Sequence, residues 1–189
     1  MKAIGIDIGT TTISGVALDV EEGLVLEART VENGSFIKTG QEWERIQDVD
    51  VILKKAVSLV DELMGCCPDA AAVGLTGQMH GVVYVDGNGR HVSPLYTWRD
   101  ERGNLPEEDG RTLTEQIKEQ TGMPAAAGYG LVSHLYNLRH GLVPDNAVSL
   151  CTIGDYLGMV LTGRKSPLVH VSNGASLGFF DGKNRRFCV

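Results

Sequence analysis

The run Lys2-Ala3-Ile4-Gly5-Ile6-Asp7-Ile8-Gly9-Thr10-Thr11-Thr12 sets an acid, a glycine and three hydroxyls side by side. The apolar residues around Asp7 read as a strand, and a second apolar run follows at once from Ile13 to Leu18. This pattern predicts a hairpin whose tip holds phosphate. Gly9 lets the backbone turn tightly and approach a ligand. Successive N–H groups in such a turn form an anion-binding concavity, and the hydroxyls of Thr10, Thr11 and Thr12 add donors. Asp7 would repel a phosphate directly. It makes sense there if it holds Mg2+, or a Mg2+-bound water, beside the phosphates. The plainer alternative is a Thr-rich hairpin turn, which needs no acid at the strand end.

The bulk of the chain bounds what this loop can serve. The sequence has 189 residues, enough for one domain and too few for two ordinary ones. Hydrophobic residues make up 42% and charged residues 22%, which suits a globular core. The formal net charge of −7 disfavours nucleic acid as a partner, and Arg185-Arg186 is too short to be a basic patch. No apolar stretch approaches the ~18 residues of a membrane span. The N-terminus reads as a strand interrupted by Asp7 rather than a signal peptide, so the cytoplasm is the expected location. Cys66 and Cys67 are adjacent while Cys151 and Cys188 stand alone, a pattern of free thiols rather than a zinc site.

The elements that would position the loop are legible. Strands are expected at about 13–20 and 24–30, joined by the Glu21-Glu22-Gly23 turn into an antiparallel meander. A polar stretch from Glu32 to Gln47 leads to the clearest helix. Its apolar residues Val49, Ile52, Leu53, Ala56, Val57, Val60, Leu63 and Met64 fall at offsets of 3, 4, 7, 8, 11, 14 and 15 from the first, one helical face. Asp48 is its expected N-cap and Gly65 its stop. A buried strand, Ala71 to Thr76, then ends in Gly77-Gln78-Met79-His80-Gly81, and another runs from Val82 to Val85. Thr112 with Glu115 makes a capping box for a helix ending near Gly122. Leu131, Leu135 and Leu138 share a helical face that stops at Gly141. Val148 to Cys151 is a strand, Thr152 and Asp155 cap a helix through Leu161, and a last strand is expected from Leu177 to Phe180. Strands and helices in this order predict an α/β domain with a mixed sheet and flanking helices. No GxGxxG and no GxxxxGK[ST] occurs, so neither a Rossmann site nor a Walker loop is supported.

Four segments converge on a family. They are Gly5-Ile6-Asp7-Ile8-Gly9-Thr10-Thr11; Gly77-Gln78-Met79-His80-Gly81; Thr97-Trp98-Arg99-Asp100-Glu101-Arg102; and Ile153-Gly154-Asp155-Tyr156-Leu157 with Leu161-Thr162-Gly163 and Ser172-Asn173-Gly174-Ala175-Ser176. In this order and spacing the chain resembles the N-terminal domain of the FGGY carbohydrate kinases over nearly its whole length. Gln-Met-His-Gly resembles the ketose-kinase branch of xylulokinase and its relatives, where glycerol kinases carry a charged pair in place of Met79 and His80; the stretch from Thr97 to Arg102, the Gly128-Tyr129-Gly130 segment and the Asn173 to Gly178 region resemble sedoheptulokinase-like members. The resemblance implies the ribonuclease-H-like (actin-like ATPase) fold. It implies ATP and Mg2+ as cofactors and transfer of the γ-phosphoryl to a primary hydroxyl of a ketose such as sedoheptulose or xylulose. The family's base is an Asp in a Gly-Asp motif that does not follow the Asn173 region here, and its adenine pocket belongs to a C-terminal domain. The chain therefore reads as a truncated N-terminal domain, residues 1–189. Its missing C-terminal domain is an expected partner, a homodimer is left open, and the fragment alone is expected to be inactive.

The resemblance also implies roles. Asp7 carries over as the Mg2+- and phosphate-positioning acid, and Gly9, Thr10, Thr11 and Thr12 as the ATP-phosphate loop. Gln78, Met79 and His80 end a buried strand, where open α/β sheets place ligands. Gln78 and His80 would hydrogen-bond sugar hydroxyls and Met79 would pack on its C–H face; the alternatives are core packing and an internal hydrogen bond. Trp98 and Asp100 form an aromatic-plus-acid pair suited to a sugar, against the alternative of a loop anchor with Asp100 paired to Arg99 or Arg102. Tyr129, between two glycines, would swing over a ligand or anchor its loop. Asn173 is placed near the sugar. Asp155 is read as a helix-capping acid. The rival readings are a non-catalytic sugar or phosphate sensor of the same fold, and an actin-like assembly or chaperone ATPase, which would lack the sugar motifs.

Overall fold

The computed structural model describes residues 1–188. Strands β1 (Lys2–Ile8), β2 (Thr12–Asp19) and β3 (Leu24–Glu32) form the expected antiparallel meander. β4 (Ile46–Gln47) precedes helix α1 (Val49–Cys66), which crosses to β5 (Ala70–Gly77). β5 lies parallel to β1, so the sheet is mixed, in the order β3-β2-β1-β5.

The apolar stripe of α1 explains this half. Val49, Ile52, Ala56, Leu59, Val60 and Leu63 are buried against Ile4, Ile6 and Ile8 of β1 and Ile13 and Ala17 of β2. Gly15 makes the close approach possible: a Cβ there would stand 2.6 Å from Leu63 Cδ1. Asp48 caps the helix by accepting from the Val51 N–H. The helix runs past Gly65 to Cys66, and the Cys67 N–H closes it on the Leu63 carbonyl. All four cysteines are free.

The second half is built from β6 (Val83–Asp86), β7 (Leu95–Tyr96), α2 (Leu113–Thr121), α3 (Gly130–Arg139), β8 (Ala147–Cys151) and α4 (Ile153–Thr162). β6 pairs with β8, and β7 with β4. Both expected capping boxes are present, Thr112 with Glu115 and Thr152 with Asp155. Both helices end at left-handed glycines, Gly122 and Gly163.

The strand expected over Leu177 to Phe180 does not form as such. The chain makes a short helix α5 (Val171–Ser176), Leu177 stays helical, and Gly178 and Phe179 take positive φ. Only Phe180–Asp181 is a strand (β9), paired with Arg186–Phe187 (β10). A short apolar run without alternation cannot distinguish a strand from buried turns. Here Leu177 is a single plug packed with Val82, Tyr84 and Tyr96. No helix among the described residues is long and apolar enough to cross a membrane.

Candidate functional site

The turn between β1 and β2 is drawn tight. A Cβ on Gly9 would lie 2.7 Å from the Thr12 carbonyl oxygen, so only glycine fits. Asn33, wholly buried just after β3, holds the turn from below. Its side-chain amide donates to the Gly9 carbonyl at 2.7 Å and its backbone N–H to the Thr11 carbonyl at 2.8 Å. Thr11 and Thr12 face solvent, Thr10 is half-buried, and Asp7 is exposed. Asp7 sits on the sheet face opposite α1, because its neighbours Ile6 and Ile8 fill the core.

Thr10 is also the meeting point of the site. Its hydroxyl donates to Gln78 Oε1 at 3.3 Å and accepts from the Trp98 indole Nε1–H at 2.9 Å. The Gln78 amide donates to Gln47 Oε1 at 2.8 Å, and the Gln47 amide donates to the Thr10 carbonyl at 2.9 Å. Thr10, Gln78 and Gln47 thus close a ring. Three residues expected from the sequence are brought together by one that was not, since Gln47 closes a polar stretch and precedes a cap. Asn33 was missed for the same reason: no motif marks it.

Met79 and Trp98 are the apolar surfaces of this region, 53% and 48% exposed. His80 takes a left-handed φ of 71°, which turns its ring inward: Nδ1 contacts the Ser176 carbonyl, and the ring stacks on Tyr129 with centroids 5.0 Å apart. Tyr129 thus packs as a loop anchor against His80. Its flanking glycines serve close contacts: a Cβ at Gly128 would lie 1.8 Å from the Trp98 carbonyl oxygen, and one at Gly130 2.7 Å from the His80 carbonyl oxygen. The Gly128-Tyr129-Gly130 segment therefore locks the Trp98 and His80 loops together.

Asp100 departs from its expected place on the sugar. It is 1% exposed and accepts four hydrogen bonds, from the Arg45 N–H, the Arg102 N–H, and Arg102 Nε and Nη2. Both oxygens are used, leaving no room for a hydroxyl. The ion-pair alternative is the one that forms, because Arg102 is itself buried over Tyr96 with its guanidinium carbon 4.2 Å from the ring centroid. The network continues inward. Arg102 Nη1 donates to Asn137 Oδ1, Asn137 Nδ2 donates to the Tyr84 hydroxyl at 3.3 Å, and Tyr84 meets His134 Nδ1 at 2.9 Å. Burial pushes the Tyr84 phenol up to about 12 and holds the His134 imidazole below its ordinary value. The Tyr84 hydroxyl accepts from Asn137 and shares one hydrogen bond with the His134 ring.

On the other side of Gln78 and Met79 lies a cleft of about 560 Å³, lined also by Thr76, Asp155, Arg164 and Asn173. Asn173 donates to Asp155 Oδ1 at 2.8 Å, while Asp155 Oδ2 accepts from the Thr152 hydroxyl at 2.7 Å. Asp155 thus has the capping role expected of it, and Asn173 reaches the cleft wall through that cap. No cluster of three or more His, Cys, Asp or Glu side chains occurs among the described residues. Mg2+ needs only one or two carboxylates when phosphates and waters complete its shell, and Asp7 beside the Gly9 turn offers one.

The model of the FGGY family of carbohydrate kinases, N-terminal domain, matches residues 2–188. The chain is 28% identical to mouse (Mus musculus) sedoheptulokinase over 96% of its own length and 42% of that protein's. It is 28% identical to a Streptomyces rubiginosus xylulose kinase over 85% of its length and 34% of that relative's. A crystal structure of ligand-bound xylulose kinase from Lactobacillus acidophilus superposes with a TM-score of 0.80 at 22% identity, covering 99% of this chain and 38% of the other. The chain thus spans less than half the length of the relatives it matches. The structural likeness shows the fold, α/β with a mixed sheet, of the ribonuclease-H-like (actin-like ATPase) kind. With motifs, sheet and family match in agreement, this chain belongs to the FGGY family of carbohydrate kinases and spans its N-terminal domain.

Proposed function

We propose that this chain supplies the sugar wall and the phosphate loop of an ATP-dependent ketose kinase acting on sedoheptulose, xylulose or a close relative. The observation that carries this reading is the 2.9 Å bond from Trp98 Nε1 to Thr10 Oγ1. It holds an exposed indole, a natural platform for sugar C–H groups, against the loop whose N–H groups suit phosphate.

In this reading Trp98 and Met79 pack on the sugar, with His80 and Tyr129 behind them. The imidazole face and edge left by the Ser176 contact are the polar part of the wall. Gln78 spends its amide inside the ring and orients the wall. Asn173 borders the neighbouring cleft. Gly9 to Thr12 bind the ATP phosphates through backbone N–H groups and hydroxyls, and Asp7 orients Mg2+ or its water shell. Bound Mg2+ would neutralise charge on the transferred phosphoryl, which is most of what catalysis of this class requires beyond positioning. The family's adenine pocket and proton-accepting Asp are proposed to come from a C-terminal domain.

The test is ATP-dependent phosphorylation of sedoheptulose, xylulose, ribulose, fructose and glycerol by the product of the complete reading frame, with the 189-residue chain as control. Turnover of one ketose by the long form alone supports the reading. Sugar binding without turnover by either form would instead make the chain a sensor.

A further inference from the structure

Gln47 belongs to no motif and has no assigned role, yet it is wholly buried beneath the site. Its backbone is fixed on three sides. It pairs with Leu95 of β7 and bridges to Phe36, and the next residue, Asp48, caps α1. A side chain rooted so firmly makes a rigid post. Its amide spans two loops, donating to the Thr10 carbonyl and accepting from the Gln78 amide at 2.9 and 2.8 Å. The Thr10 hydroxyl then donates back to Gln78 Oε1. Donors and acceptors run in one direction from the Trp98 indole through the Thr10 hydroxyl, the Gln78 amide and the Gln47 amide to the Thr10 carbonyl, a chain in which hydrogen bonds strengthen one another. The Trp98 indole feeds into the same hydroxyl from outside.

We propose that Gln47 is a positioning residue that locks the Thr10 loop to the Gln78–Trp98 wall, so that a ligand on the wall is felt at the loop. The ring itself stands on the geometry alone; the ligand coupling rests on the kinase reading above. Gln47 touches no reacting group. It acts by removing the freedom of the loop to drift relative to the wall, a displacement that need be only ~1 Å to cost about 100-fold in rate.

The chain contains two tryptophans, so its indole N–H region in a two-dimensional NMR spectrum is simple, and W98F identifies the Trp98 signal. Gln47→Met keeps the side-chain length and removes both polar contacts. Without ligand, Q47M is expected to move the Trp98 indole resonance and to raise its solvent-exchange rate about 2- to 10-fold, the size of one net hydrogen bond. An unchanged resonance and rate overturn the proposal. Gln47→Glu keeps the shape of the side chain but cannot donate to the Thr10 carbonyl; it leaves the Trp98–Thr10 bond its own partners and must give the same indole signature, which decides the matter should Q47M fail to fold. Titration with xylulose or sedoheptulose then tests the coupling. In the natural sequence the Trp98 indole and the Thr10 and Thr11 amides move together; in Q47M the indole responds and the amides no longer follow. Amides that still follow in Q47M overturn the coupling. A sugar that moves no signal in the natural sequence overturns the kinase reading and the coupling with it, leaving the ring to be decided by the ligand-free comparison. In the product of the complete reading frame, kcat is expected to fall about 10- to 100-fold with ketose KM within twofold; loss in KM alone would count against a positioning role.

Discussion

At the scale of single residues, Gly128 and Arg102 bear the sharpest consequences. A methyl at position 128 has nowhere to go, because its neighbour at 1.8 Å is the backbone of Trp98. Gly128→Ala must push the Trp98 loop outward, with an overpacking cost of about 1–3 kcal/mol. The expected result is a lower urea midpoint together with a lengthened or broken Trp98–Thr10 bond, read from the same indole resonance. Arg102 is different in kind. Its partner Asp100 is buried with its carboxylate committed to it, so Arg102→Met leaves an uncompensated buried charge. Breaking such a pair from one side costs about 3–5 kcal/mol, and urea denaturation should show it. Replacing both partners with apolar residues should recover much of that loss. The sequence sets Asp100 on a sugar, with pairing to Arg99 or Arg102 as the alternative, and cannot say which forms. Only the burial of Arg102 over Tyr96 decides it.

At the scale of elements, periodicity and caps carry most of what the sequence can say. The stripe of α1, its Asp48 cap and both capping boxes appear where spacing places them, because they depend on residues within one or two turns of each other. The short apolar run at Leu177 carries no such local signal, and long-range packing turns it into a plug. Asn33 and Gln47 were illegible for the same reason: each acts on a turn 24 and 37 residues distant in sequence. The Tyr84–His134 contact between β6 and α3 is another such long-range bond. Burial pushes the His134 imidazole below its ordinary value in the folded state. Between its lowered folded value and the ordinary value of about 6.5, the unfolded chain binds a proton that the folded chain does not. Stability therefore falls as pH is lowered through this window, because unfolding then takes up a proton. Thermal melts between pH 7.5 and 5.5 should show a declining Tm, and His134→Gln should flatten that decline. An unchanged slope in the variant would place the pH response elsewhere. Asp155→Asn belongs to the same scale. It weakens the α4 capping box by about 1 kcal/mol and should leave turnover by the full reading frame unchanged, since both its oxygens are engaged in the fold.

At the scale of the whole molecule, two sets of loops divide the work. The β1–β3 meander and α1 make a platform whose exposed tip is the Gly9–Thr12 turn, while β5, β7 and α3 bring the Gln78, Trp98 and Tyr129 loops to one side of it. The family was legible because its motifs sit on these loops at the ends of elements, and their order in the chain survives without any knowledge of the packing. The division of labour separates binding from chemistry. Trp98→Ala removes the exposed platform and leaves the β1–β2 turn, held by Asn33, intact. It should weaken sugar binding to the 189-residue chain with little change in stability. Asp7→Asn should do the opposite. The residue is exposed and lies outside the ring, so sugar binding and Tm should hold, while phosphoryl transfer by the complete reading frame falls about 10- to 100-fold through poorer metal orientation. Titration calorimetry with xylulose and sedoheptulose on both variants, beside turnover in the long form, separates the two effects. If Asp7→Asn instead abolished sugar binding, the acid would belong to the sugar wall and not to the phosphate loop.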